Sequence, residues 1–186
     1  MTNTAATTIS GLVAGTWTID PVHSEVGFMV RHMMVSKVRG KFNSFSGEIV
    51  TGDKLSDASA SATVELSSID TNNAQRDEHL RSVDFFEVDS HQTMTYRSTG
   101  VRADGEDFIV DGELTIKGVT KEVPLHVEFG GVGPDAYGGT RAGFSATGEI
   151  NRKDFGVSFG GVSDTGIVIV GDKITIHLEV EAILNS

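Results

Sequence analysis

Three histidines, His23, His32 and His79, stand close in sequence to the carboxylates Asp20, Glu25 and Asp77. Imidazole and carboxylate together suit zinc or iron. The spacing does not: His23 and His32 are an odd number of residues apart, so on one regular strand they point to opposite faces. No metal or other cofactor is expected. Arg76-Asp77-Glu78-His79 could hold acid–base chemistry, but a capped helix whose Arg and carboxylates are tied into neighbouring loops explains the same residues. Asp154-Phe155-Gly156 imitates the magnesium-binding triplet of protein kinases, with no phosphate loop or catalytic-loop motif beside it. Gly156-Val157-Ser158-Phe159-Gly160 has the spacing G-x-S-x-G, but it falls in a Gly-rich stretch that reads as a loop, without the strand-to-helix turn that makes a nucleophile elbow. Nothing assembles a nucleophile with a base, so the chain is expected not to be an enzyme.

The elements that would position these residues are strands. In the stretch 22–34, Val22, Ser24, Val26, Phe28, Val30, His32 and Met34 share one face, the period of two of a half-buried strand. A second strand is expected over 38–50, where Phe42 and Phe45, separated by Asn43-Ser44, break the alternation and suggest a bulge. In the third, over 58–67, Ala58, Ala60, Ala62, Val64 and Leu66 alternate with polar residues and place small side chains inward. Further strands are expected over 92–102, 108–117, 121–131, 141–151 and 173–184, for eight in all. Asp104-Gly105 and Lys117-Gly118 read as hairpin turns. Gly-rich pieces at 130–139 and 156–166 read as loops. Only the segment after Asp70 reads as a helix, placed over one end.

Eight antiparallel strands with short connections predict an all-β, eight-stranded, lipocalin-like barrel. Such a barrel either fills its interior with side chains or holds one small ligand. The alanines of the third strand leave room, whereas the phenylalanines of other strands take it up, so a partly filled apolar tunnel is expected. Trp17, the only tryptophan, reads as a plug at the barrel base.

Composition bounds the partners. A net charge of -11 opposes nucleic-acid phosphate and anionic headgroups, which need clustered Lys and Arg. The absence of cysteine removes disulfides and thiolate chemistry. Residues 1–14 lack a basic segment followed by an apolar run and read as a flexible leader to one domain over 15–186. A cytoplasmic location is expected. A homodimer through exposed strand edges is a further possibility.

Trp17-Thr18-Ile19-Asp20-Pro21-Val22-His23-Ser24 resembles the opening signature of the YceI-like family of polyisoprenoid-binding proteins. Phe28-Met29-Val30-Arg31-His32-Met33, Gly40-Lys41-Phe42, Phe45-Ser46-Gly47 and Ile69-Asp70-Thr71 follow in the family's order. Arg76-Asp77-Glu78-His79-Leu80, Asp84-Phe85-Phe86, Gly112-Glu113-Leu114-Thr115-Ile116, Gly118-Val119-Thr120-Lys121 and Arg152-Lys153-Asp154-Phe155-Gly156-Val157 extend the likeness. The resemblance implies a barrel holding a long isoprenoid lipid, such as a polyprenyl phosphate or a quinone precursor. It also implies a carrier or reservoir role in isoprenoid quinone metabolism, transport or storage. Inward periodicity and position near the expected opening nominate Phe28, Val30, Met34, Phe42, Val64, Leu66, Leu80, Phe85 and Phe86 as the lining. Arg76, Arg81 and His32 are nominated as donors for a polar headgroup at the mouth. The competing reading is an enzyme or stress-response protein acting on an isoprenoid or other apolar substrate.

Overall fold

The computed structural model describes residues 11–160, 164–166 and 169–185; most of the expected leader lies outside them. In chain order the strands are β1 Gly15–Ile19, β2 Glu25–His32, β3 Ser36–Phe42, β4 Phe45–Thr51, β5 Ser59–Glu65, β6 Ile69–Asp70, β7 Thr93–Asp104, β8 Asp107–Ile116, β9 Val119–Glu122, β10 Leu125–Pro134, β11 Thr140–Asn151 and β12 Val170–Leu184. One α-helix, α1 Ala74–Arg81, lies between β6 and β7.

Neighbours pair antiparallel around the ring β1, β4, β5, β7, β8, β10, β11, β12, and β12 returns to β1 through Trp17 opposite Leu184. The result is the expected closed eight-stranded barrel, in which closure leaves no free sheet edge around the ring. Four of the eight staves are broken, three of them side by side and the fourth between β9 and β10, which both pair with β8. Along one edge of β12, β1 pairs near Ala182 and β2 pairs between Val170 and Glu179, so β1 and β2 form one interrupted stave. β4 and β3 form the second, and β5 and β6 the third. Breaks of this kind let strands bend without giving up pairing on either side.

The first break corrects the expected strand over 22–34. Val22 is 81% exposed in a turn where its N–H donates to Asp20 Oδ1 at 2.9 Å, and pairing resumes only at Glu25. The expected strand over 121–131 is also two elements, because Pro124, which has no N–H to give a ladder, divides β9 from β10. The glycines at 130–133 are not in a loop: β10 runs through them to Pro134, with a bulge between Phe129 and Gly131.

The two ends of the barrel differ. At one, Trp17 is 1% exposed against Ala142 and Ala182. Its indole N–H donates to Thr51 Oγ1 at 3.0 Å, and Thr51 Oγ1 donates to the Val13 carbonyl at 2.7 Å. This cluster fills the base. At the other end stand α1 and the β2–β3 turn, where Val35 N–H donates to the His32 carbonyl at 3.2 Å.

Candidate ligand-binding cavity

Between the two ends the barrel encloses a cavity of about 230 Å³. Val26, Phe28 and Val30 reach it from alternate positions of β2, and Ile174, Ile176 and Leu178 from β12. Phe28 and Phe42 lie 5.7 Å apart by ring centroids, and Phe42 meets Phe86 edge-on at 6.0 Å. A Cβ on Gly40 would overlap the Phe28 ring, so the bare backbone of β3 is what lets that ring lie across the wall.

Helix α1 roofs the cavity with Leu80, and Phe85 and Phe86 follow from the next turn. Its start is held tightly. Asn73 Oδ1 accepts from Arg76 N–H at 2.9 Å, an N-cap that satisfies one orphan donor. Buried Asp77 accepts from both the N–H and the hydroxyl of Thr71. Arg76 Nη2 donates to the Thr71 carbonyl at 2.7 Å.

The titratable side chains on the wall are Tyr96 and Arg152, and each spends its polar atoms on backbone. Tyr96 lies over Gly112, where a Cβ would collide with its ring. Its hydroxyl donates to the Val123 carbonyl at 2.8 Å. Burial first, and Asp111 second, push this phenol above its ordinary range. Arg152, 4% exposed, donates to the carbonyls of Val157 at 2.9 Å, Phe159 at 2.6 Å and Gly171 at 3.0 Å. Burial lowers its pKa, and the charge of Asp172 opposes that. What faces the void is therefore hydrocarbon, a surface that favours an apolar guest.

A family model described as a YceI-like domain matches residues 17–182. The chain belongs to the YceI-like family. This YceI-like chain is 42% identical over 137 residues to a UPF0312 protein of Pectobacterium carotovorum, covering 73% of this chain and 71% of the relative. Among solved structures it is similar to Burkholderia cenocepacia BcnA, with a TM-score of 0.77 and 25% identity, over 88% of this chain and 98% of that one. A polyisoprenoid binding domain from Saccharophagus degradans, implicated in plant cell wall breakdown, shares the fold at a TM-score of 0.65 and 16% identity, over 91% of this chain and 98% of that one.

Within this YceI-like barrel, Phe28, Val30, Phe42, Val64, Leu80, Phe85 and Phe86 come together on the cavity wall. Five other residues expected at the site lie elsewhere. Leu66 is fully buried behind the wall with Phe42 and Ile69, because the alternation that pointed it inward ends in a tight turn at Leu66–Ser68. Met34 is 67% exposed at the β2–β3 turn. His32 ends β2 half-buried opposite Ser36 and Val170. Arg76 is bound to Thr71, and Arg81 Nε donates to the Ser67 carbonyl at 3.0 Å. Both arginines hold loops, the role a capped helix gives them.

The sequence reading missed Tyr96 and Arg152. Tyr96 could have been found, since the alternation Met94, Tyr96 on β7 repeats that of the other wall strands. Arg152 could not, because its acceptors lie beyond a turn that no periodicity marks. Near the base, Asp20, His23 and Glu181 approach closely enough for a shared cation. Arg141 fills that place, with Nη1 at 2.7 Å from Asp20 Oδ2 and 2.8 Å from Glu181 Oε1.

Proposed function

We propose that this YceI-like protein binds a long-chain polyisoprenoid lipid, a polyprenyl phosphate or quinone precursor, in its barrel as a carrier or reservoir serving isoprenoid quinone metabolism, transport or storage. The observation that carries this reading is a cavity whose wall is hydrocarbon and whose two titratable members are both turned onto backbone carbonyls. The polyisoprenoid binding domain among its structural neighbours supports the choice of lipid class. A wall without a free acid or base favours holding a molecule over transforming it.

Each buried CH₂ contributes about 0.8 kcal/mol, so a few isoprene units offset the cost of immobilising the chain. Apolar cavities of roughly 150 Å³ already take a benzene-sized guest. A cavity of about 230 Å³ receives the leading units, and a longer chain enters by displacing adaptable side chains such as Met94.

Native mass spectrometry of the purified protein, followed by lipid extraction, tests the reading. A co-purifying polyprenyl mass, or uptake of added polyprenols in titration, is the expected result. A consistently empty protein that refuses polyprenols of every length would sink it.

A further inference from the structure

The β2–β3 hairpin has features that the cavity does not use. Its connecting loop is Met33-Met34-Val35, and the first two of these residues have φ of 51° and 61°, left-handed values that favour Asn-Gly and strain a residue with a larger side chain. The strained turn presents apolar groups to solvent: Met34 is 67% and Val35 85% exposed. Behind the tip, Arg31 stands opposite Lys37, and Arg39 opposite Met29, all on the outer face. Between Glu25 and Glu48 the chain has Arg31, Lys37, Arg39 and Lys41 and no Asp or Glu, within a protein of net charge -11. Among the described residues no carboxylate pairs with Arg31, Lys37 or Arg39; Lys41 alone faces an acid, across the strand pair from Asp70.

The tip also sits beside the cavity. Met33 N–H donates to the Ile169 carbonyl at 2.9 Å, and the next residue, Val170, lines the wall.

We propose that this hairpin docks the barrel on an anionic lipid bilayer, with Met33, Met34 and Val35 entering the interface and Arg31, Lys37 and Arg39 meeting headgroup phosphate. The proposal rests on the lipid reading of the cavity and adds the surface from which cargo is exchanged. Apolar groups next to a cluster of cations form the pairing that holds proteins at anionic interfaces. The overall acidity does not prevent it. Charges separated by more than a Debye length of about 8 Å are largely screened, and a seven-residue strand such as β3 spans roughly 23 Å, which sets the tip apart from acids at the barrel base; Asp172, which follows the Gly171 that abuts Arg31, is itself paired with Arg152 and Lys153.

The test is co-sedimentation of the full chain with phosphatidylcholine vesicles and with mixed phosphatidylcholine–phosphatidylglycerol vesicles. Binding to the mixed vesicles alone, weakened by salt, is expected. Each cation near an anionic surface contributes roughly five-fold to partitioning, so the triple variant Arg31→Gln, Lys37→Gln, Arg39→Gln binds about a hundred-fold more weakly. Met33→Asn with Met34→Gly suits the turn, so its Tm rises while its vesicle binding falls roughly ten-fold; that opposite movement excludes misfolding as the cause. Equal binding to both vesicle types, or undiminished binding by either variant, overturns the proposal. Polyprenol uptake in solution is read on the same proteins. A chain that binds anionic vesicles but takes up no polyprenol removes the cargo reading and leaves the docking surface standing.

Discussion

Phe42 and Phe45 line the same cavity, although at odd spacing on a regular strand they would face opposite ways. The backbone turns a corner between them. Asn43 N–H donates to the Ser68 carbonyl at 3.1 Å, Ser44 N–H to Ser68 Oγ at 3.0 Å, and Glu65 N–H to the Ser44 carbonyl at 2.9 Å. Two interrupted staves thus meet through one serine, which lets both rings reach the interior.

Phe42 is 5% exposed and packs on two other rings, so Phe42→Ala is expected to cost about 3–5 kcal/mol. Ser68→Ala removes an acceptor at the corner and costs about 1 kcal/mol. Urea midpoints measure both; a Phe42→Ala loss as small as that of Ser68→Ala would mean that the ring is not part of a packed wall.

Ala62 on β5 faces the void, where a larger side chain meets empty space before it meets a neighbour. Ala62→Leu displaces one or two methylenes of a bound chain, which weakens binding of long polyprenols roughly ten-fold with little change in Tm. Titration with prenols of graded length checks this, and unchanged affinity across the series would place the cargo elsewhere.

Arg152 donates to four backbone carbonyls, those of Val157, Phe159, Val170 and Gly171. Arg152→Met leaves them without a donor, at about 1–3 kcal/mol for each that stays buried. A total loss of at least about 3 kcal/mol is expected by the same measure. Arg152→Lys recovers only part, since an ammonium lacks the planar fork. Hydrogen exchange should quicken around Val157 and Gly171 first; uniform quickening across the barrel would contradict a local role.

Asp20 accepts from His23, from Arg141 and from Val22 N–H, and these contacts, led by His23, hold its carboxyl well below the usual range. A carboxylate with a depressed folded pKa adds stability that is complete above the unfolded value near 4 and is lost as pH falls through the folded one. Asp135, held low first by the Gly139 and Tyr137 N–H groups, acts in the same direction. Asp20→Asn is therefore expected to lower stability at neutral pH and flatten its fall below about pH 4. Denaturant midpoints against pH decide it: an unchanged acid limb in the variant would remove Asp20 from the account.

The eight-stave count, the hairpin turns at Gly105 and Gly118 and the lone helix were legible because alternation and turn chemistry are local. The corner at Asn43-Ser44 was legible too, as a broken period. The turn over residues 20–24 was not. Val22 and Ser24 keep the alternation of Val26 and Phe28, yet Asp20 is bound to Arg141, whose position is fixed only once β11 has paired with β12. Leu66 likewise continues a perfect alternation into a turn that pairing between β3 and β6 imposes. Periodicity therefore reports which residues can face inward, while closure of the ring selects those that do.

The base sealed by Trp17 and Thr51 makes the barrel a blind well. A guest that passes beneath α1 goes in end first, and the end that leads must be bare hydrocarbon, because the depths offer it no donor. A molecule with polar groups at both ends is turned away whatever its length, and among single-headed chains the floor acts as a depth stop. The enclosed indole is also walled off from the void, so its fluorescence is a poor witness to cargo and a good one to the integrity of the floor.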